Sequence, residues 1–519
     1  MKLLFIYINP TGRSAMPPNI TMLMGYLKGK SNHLIEVFDT TYYRFDLGQP
    51  VIESSWTTGY FLPVDEGKAF PRRSTDLDND LANKIREASP DLIAVSCYSN
   101  QYKIVSEILR QVKKKFPDIS TIVGGCHASF LPEKVIADPN IDMICLGEGE
   151  ETLLELCNKI EKKEDIRHTK NLWVKDNGNI IKNPLREPTN LDDIGTPDWG
   201  AFDPLHIYQP FHGSYFRVGM VEFGRGCPFK CTYCANTSYL ELYKDFKRAY
   251  FRHRQPKKFI AMLKELKNSY GLELIYFQDG TFLTMPDNVL MELAELYERE
   301  INLPCIILTT VSTITEKKLE LLRKMKCIYI NLGIEAGNSE FRKNVLHRHM
   351  SDKIIINAFH QIRKHKIYTA SYNVIGFPYE TREDVFQTIE LNIKCRPDSI
   401  YTQVFYPIDG CDLTKICLEQ GFFNPANESL YSQIKDVGNV SILENLPLSR
   451  EEIHRLLRTF YLYAKMPKEL YDTLRLLEED TLLTRNIISG LTNYYRKKEP
   501  HFTAASSLKF KEPQENICL

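Results

Sequence analysis

Three cysteines, Cys227, Cys231 and Cys234, stand at C-x3-C-x2-C spacing within the run G-R-G-C-P-F-K-C-T-Y-C of residues 224–234. Four thiolates normally complete a [4Fe–4S] cluster. Three leave one iron open, and an open iron can bind a small molecule. Gly224 and Gly226 let the loop fold tightly around a bulky ligand. Tyr233, just before the third cysteine, can shield a cluster from water. Two plainer chemistries compete. Zinc takes four protein ligands, often as two C-x2-C pairs, and here there is one such pair with no Cys or His partner at zinc spacing. Scattered buried thiols would not follow a glycine-rich approach at this spacing. The triplet fits a cluster best.

The apolar run 216–223 predicts a strand, so the cysteines lie on the loop that leaves it. Five helix-then-strand units follow, with strands expected at 274–278, 305–310, 328–333, 368–375 and 400–406. Ser351 and Thr381 stand where helix N-caps belong. Six parallel strands with crossover helices imply a partial (β/α)6 barrel over residues 216–420. Its functional end is where the strands finish. Polar and apolar candidates collect there: Asp279, Glu335, Asn373, Ile375 and Phe377. Glu380, one residue before Thr381, reads as helix-capping chemistry. Arg348, in a His-Arg-His loop, could reach a carboxylate but reads first as a solvated charge.

Residues 1–165 alternate five short apolar runs with helical patterns. This predicts an α/β domain with a doubly wound, Rossmann-like parallel sheet. Ligands of such sheets sit at the carboxyl ends of the strands. The residues there are Asn9, Ser96, Gly124, Gly125, His127, Gly147, Glu148 and Gly149, with Glu150 next. The glycines permit close approach of a ligand, although turn chemistry alone explains many of them. A lone histidine such as His127 is more often a packing residue than a ligand. Residues 41–78 form an aromatic-rich insertion of no assigned role. Residues 166–215 read as a linker containing a hairpin turned at Asp176-Asn177-Gly178. Residues 421–519 predict a small helical cap with a polar, mobile tail from Lys497.

Composition bounds the function. The chain has 519 residues, 43% hydrophobic and 25% charged, with 66 Lys and Arg against 66 Asp and Glu. That balance gives no basic field for nucleic acid. No apolar run is long enough to span a bilayer. The apolar start lacks a cleavage site and reads as a first strand, not a signal peptide. Thirteen cysteines, three clustered and ten scattered, fit a reducing cytoplasm.

The cysteine run, with an aromatic residue before its last cysteine, resembles the signature of radical SAM enzymes. The segment "GIEAGN" is similar to that family's nucleoside-contacting segment. The runs "PDLIAVS" (90–96), "GGCHAS" (124–129) and "DMICLGEGEETLLEL" (142–156), with Pro17-Pro18 and Asp39, resemble the cobalamin-binding domain that precedes many radical SAM cores. The D-x-H-x-x-G pattern that supplies a lower axial histidine to cobalamin is absent. The resemblance covers residues 1–420. It implies a [4Fe–4S] cluster whose open iron chelates S-adenosylmethionine, with cobalamin in the first domain. It places Asp279 near the methionine end and Glu335 on the nucleoside. Asn373, Ile375 and Phe377 complete that pocket. It further implies reductive cleavage of S-adenosylmethionine to a 5′-deoxyadenosyl radical and C-methylation of an unactivated carbon. The substrate would be a small molecule or natural product, and the electron donor one such as flavodoxin or ferredoxin. Ring formation, rearrangement or oxidation without methyl transfer is the alternative. Methylthiolation of tRNA is a weaker one, since it needs a second cluster for which Cys97, Cys126 and Cys145 are the available thiols. A non-catalytic cluster-bearing sensor is weaker still.

Overall fold

The computed structural model describes residues 1–10, 15–43, 45, 73–211, 214–424 and 440–498. Most of the 41–78 insertion, the tip of the first loop and the C-terminal tail with Cys518 lie outside the described residues. β1 (Lys2–Tyr7), β2 (Leu34–Asp39), β3 (Leu92–Ser96), β4 (Ser120–Gly124) and β5 (Met143–Cys145) make a parallel sheet in the order β2-β1-β3-β4-β5. Successive side chains of β1 point to opposite faces. Leu3 and Phe5 join Ile20, Met24 and Leu27 of the helix Pro18–Lys30. Leu4 and Ile6 meet the helices Leu77–Ala88 and Tyr102–Lys115 through Leu81, Ile85, Val105 and Leu109. Burial on both faces explains the unbroken apolar run of the first strand.

β6 (Leu172–Asp176) and β7 (Asn179–Lys182) form the expected hairpin. Asn177 and Gly178 both take positive φ, 49° and 81°, as a two-residue hairpin turn requires. The hairpin does not hang in a linker. β6 pairs antiparallel with β5, Met143 opposite Val174, and so extends the first sheet to seven strands. An edge strand is completed more cheaply by pairing than by solvation, which composition alone does not show.

The second sheet has the order β16-β15-β14-β13-β12-β9-β8. Its strands are β8 (Tyr208–Phe211), β9 (Ser214–Val221), β12 (Leu274–Phe277), β13 (Cys305–Thr309), β14 (Cys327–Glu335), β15 (Tyr368–Ile375) and β16 (Ser399–Val404). From β9 to β16 all neighbours are parallel, and β8 is an added antiparallel edge. Between them β10 (Gly224–Arg225) and β11 (Arg252–His253) make a separate two-stranded ladder beside the cysteine loop. Outward residues such as Ile275, Phe277, Ile307, Ile330 and Leu332 pack on the helix layer. Inward residues Phe216, Val218, Leu274, Ile306 and Tyr329 fill the closed end of the half-barrel. Ser351 and Thr381 cap their helices as expected, accepting N–H groups of Ile354 and Asp384. The C-terminal helix Arg450–Lys465 lays Ile453, Leu456 and Phe460 against Ile375, Ile389 and Val404.

One apolar core joins the first sheet to the barrel's helix layer. Phe5 and Met24 belong to the same cluster as Trp199, Phe259 and Phe277. The helix Pro18–Lys30 meets the connector so closely that a Cβ on Gly25 would lie 2.1 Å from the Thr196 carbonyl oxygen. Lys28 pairs with Asp198 at 2.6 Å across the same seam. Among the described residues no helix is long and apolar enough to cross a membrane.

Candidate cluster and cofactor site

The cysteine loop leaves β9 over the open end of the half-barrel. Its first residues are pinned by Asp279, which follows β12. The two Asp279 carboxylate oxygens accept the backbone N–H groups of Phe223 (3.1 Å) and Gly224 (2.6 Å). Burial pushes its pKa up to about 7 against the pull of those donors. Gly226 has φ 89°, and a Cβ there would meet the Tyr250 ring at 2.9 Å and the Phe251 backbone at 3.0 Å. Only glycine makes this turn without displacing the β11 segment. Cys227 and Cys231 are buried, Cys234 is half-buried, and all three are free thiols. The Cys227 Sγ lies 3.2 Å from the Thr281 hydroxyl, and Asn236 donates to the Cys234 Sγ at 3.7 Å. Burial raises the Cys231 and Cys234 thiols. Among the described residues no three Cys, His, Asp or Glu side chains close on one ion.

Arg348 corrects its expectation as a solvated loop charge. It is 9% exposed. One guanidinium nitrogen donates to the Cys231 Sγ (3.6 Å) and the Tyr233 hydroxyl (3.4 Å), and the other to the Gly333 carbonyl (2.7 Å). It stands 3.9 Å from Glu335. Burial raises the Glu335 pKa, with Arg348 and Tyr233 opposing. Glu335 itself has φ 66°, strain in a non-glycine residue of a kind that concentrates at functional sites. A flanking His-Arg-His gives no sign of this burial. The pairing of β14 with β15 shifts register between Gly333 and Glu335, at the strand end where Arg348 reaches both Glu335 and the Cys231 Sγ.

The remaining strand-end candidates divide. Phe377 is buried and its ring lies 5.7 Å from Tyr233, beside the cluster loop. Asn373 and Ile375 face the other way. Asn373 is bonded to Asn392, Ser371 and the Tyr401 carbonyl, and Ile375 packs on Val385 and Ile453. The period of two along β15 sends both into the helix layer, away from the barrel interior. Glu380 does not cap its helix. Its carboxylate turns back to accept the N–H groups of Gly376 (2.5 Å) and Phe377 (3.3 Å), holding the turn that carries Phe377. Thr381 and Asp384 make the cap.

In the first domain, Ser96, Gly124, Gly125, Gly147, Glu148 and Gly149 line a cavity of about 610 Å³. The opposite wall belongs to the barrel: Glu222, Arg225, Asn236, Tyr239, Tyr250 and Gln278. The cavity therefore lies between the carboxyl ends of the first sheet and the cysteine loop. Asn9 and His127 do not reach it. Asn9 is bonded to Thr40 and Thr41. His127 faces Ser99 (3.2 Å) and Asp409 (3.4 Å) and lies on the Tyr102 ring. Glu148 lines the wall, but its carboxylate is held by Arg252 (2.6 and 2.7 Å), Arg225 (3.3 Å) and the Thr189 N–H (2.8 Å). Glu150 takes Arg225 at 2.9 Å. These carboxylates tie the two domains together. Sequence reasoning missed Arg225, although it sits between the two glycines of the signature. It also missed Asn236 and Tyr239, whose i, i+3 spacing after Cys234 puts them on one helix face.

The donor set fits both groups. Three thiols free of disulfides, two buried and one half-buried, stand on one loop at the mouth of the half-barrel. A glycine-walled slot with Asn19, Ser96 and Asn100 on the first-domain side, faced by the charged and polar wall of the barrel, accepts a large ring with polar substituents. Fold and site thus define a cluster-bearing enzyme with a second cofactor held over the cluster.

Comparison with known proteins names the class further. Residues 221–391 match the Radical SAM superfamily and residues 70–157 the B12 binding domain. An uncharacterized methyltransferase of Pyrococcus horikoshii is 25% identical over 420 residues, covering 80% of this chain and 87% of its own. An anaerobic magnesium-protoporphyrin IX monomethyl ester cyclase of Cereibacter sphaeroides is 28% identical over 338 residues. It covers 62% of this chain, which spans about half (53%) of the cyclase. The solved structure of the radical S-adenosylmethionine methyltransferase TsrM from Kitasatospora setae, with cobalamin and a [4Fe–4S] cluster bound, superposes with TM-score 0.60. It is 17% identical and covers 81% of this chain and 75% of that one, a likeness of fold. The chain carries a radical SAM domain and a B12 binding domain, the pair by which it resembles cobalamin-dependent radical SAM enzymes. Its cofactors are a [4Fe–4S] cluster, S-adenosylmethionine and cobalamin.

Proposed function

We propose that this enzyme transfers a methyl group to a carbon of a small-molecule substrate. The observation that carries the reading is the single cavity shared by the first sheet and the barrel mouth, with Arg225 in its wall two residues before Cys227. When bound, the cluster and S-adenosylmethionine supply a carbon radical that removes hydrogen, and cobalamin supplies the methyl group.

The chain's own work is holding and exclusion. Cys227, Cys231 and Cys234 hold the cluster, and Arg348 donates to one of those sulfurs. Asp279 fixes the approach of the loop. Glu335 and Phe377 stand where the nucleoside of S-adenosylmethionine would lie. Tyr233 and Phe377 keep water from the cluster, and Tyr239, Tyr250 and Met22 do so on the cofactor side. An electron donor such as flavodoxin or ferredoxin would reduce the cluster, in a reducing cytoplasm.

The test is product analysis of the anaerobically reconstituted enzyme with a chemical reductant. Methylated product with S-adenosylhomocysteine beside 5′-deoxyadenosine supports methylation. The cyclase relative favours a second reading, ring formation without methyl transfer. Deoxyadenosine with a cyclised product and no S-adenosylhomocysteine would establish that one.

A further inference from the structure

Below the cofactor cavity the half-barrel encloses a chamber with a different character. Phe211, Phe216 and Tyr329 plug its floor, with ring centroids 6.0 Å apart in both Phe211 pairs. Strand alternation turns Tyr276, Tyr372, Tyr401 and Gln403 to the same inner side as that floor. All four remain partly exposed although they face inward, so open space reaches them. They are held in place: Asn331 donates to the Tyr276 hydroxyl (3.4 Å), Gln403 to the Tyr401 hydroxyl (2.6 Å), and the Tyr372 and Tyr401 rings lie 4.8 Å apart. Thr310, at the end of β13 on the same side, is 6% exposed, and its hydroxyl has no hydrogen-bond partner among the described residues. Every inward position of β9 and β12–β16 between the plug and the mouth is uncharged. Charge begins only at the mouth, with Glu222, Glu335 and Arg348.

We infer that this chamber seats the substrate and selects an uncharged, flat-ringed fragment carrying a hydroxyl, amide or carbonyl group. A charged fragment would lose its hydration with no counter-charge to meet it. A flat ring finds aromatic walls for stacked or edge contacts that a puckered ring of equal area cannot make. The amide of Gln403, partly exposed on the inner side, is placed to meet its polar group, and a polar group left unmet there would be penalised. The inference rests on the reading of the cavity above as the cofactor site.

Equilibrium dialysis of the cluster-loaded full chain, without reductant so that nothing turns over, tests it with three compounds: naphthol, its saturated counterpart decalol, and naphthoate. Naphthol is expected to bind at least about tenfold more tightly than either of the others. Tyr372→Leu should bring naphthol to the level of decalol, with the melting temperature reporting whether the variant is folded. Equal or tighter binding of decalol or naphthoate to the unaltered enzyme overturns the inference, as does no binding of any of the three. That ranking needs no variant, so a misfolded Tyr372→Leu leaves the test intact. Binding is separate from turnover. A naphthol preference without any S-adenosylhomocysteine in the product assay would remove the methylation reading and leave the chamber's selectivity standing.

Discussion

Arg348 is a cation buried against a cluster thiol, a position its neighbours in the sequence do not announce. Hydrogen bonds and positive charge at cluster sulfurs favour the reduced state. Replacing Arg348 by Met should therefore lower the cluster's reduction potential. A tenfold change in the reduced fraction at fixed potential corresponds to about 59 mV for one electron. A redox titration without S-adenosylmethionine reads this directly, and Arg348→Lys should restore part of it. An unchanged potential would show that the guanidinium only fills space. Glu380 gives a second residue-scale test. It is fully buried, and burial pushes its pKa up to about 8, against the pull of the Gly376 and Phe377 N–H groups. Its folded pKa lies above the ordinary value, so its protonation favours folding. That stability is present below about pH 4.5 and is lost as pH rises to 8. At one unit per ~1.4 kcal/mol the upper bound is roughly 4–5 kcal/mol. Glu380→Gln should flatten the fall in melting temperature between pH 5 and pH 8.5. An undiminished slope would place the titration elsewhere.

At the scale of elements, the cysteine loop depends on backbone geometry more than on contacts. Gly226→Ala combines a positive φ, worth roughly 1–3 kcal/mol of strain, with a clash against the Phe251 backbone. Iron content after reconstitution is expected to fall well below about four per chain, with all three cysteines still present. Full iron loading would mean the loop can relax. The elements themselves were legible where one signal decided them. The apolar runs of β1 and β9, the Asn177-Gly178 turn and the Ser351 and Thr381 caps lie where local pattern puts them. The direction of a strand-end side chain was not legible. Asn373 and Ile375 stand at the right end of β15, yet an irregular register at Gly333/Glu335 and the period of two decide that they face the helices. Glu380 and Arg348 were misread because a long side chain turned back onto its own turn, or into a buried site, leaves no periodic trace in sequence.

For the whole molecule, the decisive contact is the ion-pair node between the two sheets. Glu148, on the loop after β5, is paired with Arg252 of β11 and Arg225 of β10, and its backbone N–H donates to the Tyr243 hydroxyl at 2.8 Å. The carboxylate and the Arg252 guanidinium are 8% and 11% exposed, so solvent screens them little. Burial pushes the Glu148 pKa up, but Arg225 and Arg252 outweigh it and hold it below the ordinary carboxylate range. Stability from such a group is present above its usual pKa and is lost as pH falls through the folded value. Glu148→Gln leaves the buried Arg252 guanidinium short of its counter-charge, while Arg225 keeps Glu150, a change that typically costs about 3–5 kcal/mol. The cost should appear as a lower melting temperature at pH 7 and faster proteolysis within residues 166–215, and the difference should shrink toward pH 4. Pairing it with Arg252→Gln separates a junction from general damage. If the two residues act as a unit, the double variant loses less than the sum of the singles by about 0.5–3 kcal/mol. Additive losses would show that Glu148 and Arg252 do not act as a unit. Because Glu148 and Arg225 of this node wall the cofactor cavity, Glu148→Gln should also weaken cobalamin retention in parallel, read from the corrinoid absorbance that survives gel filtration.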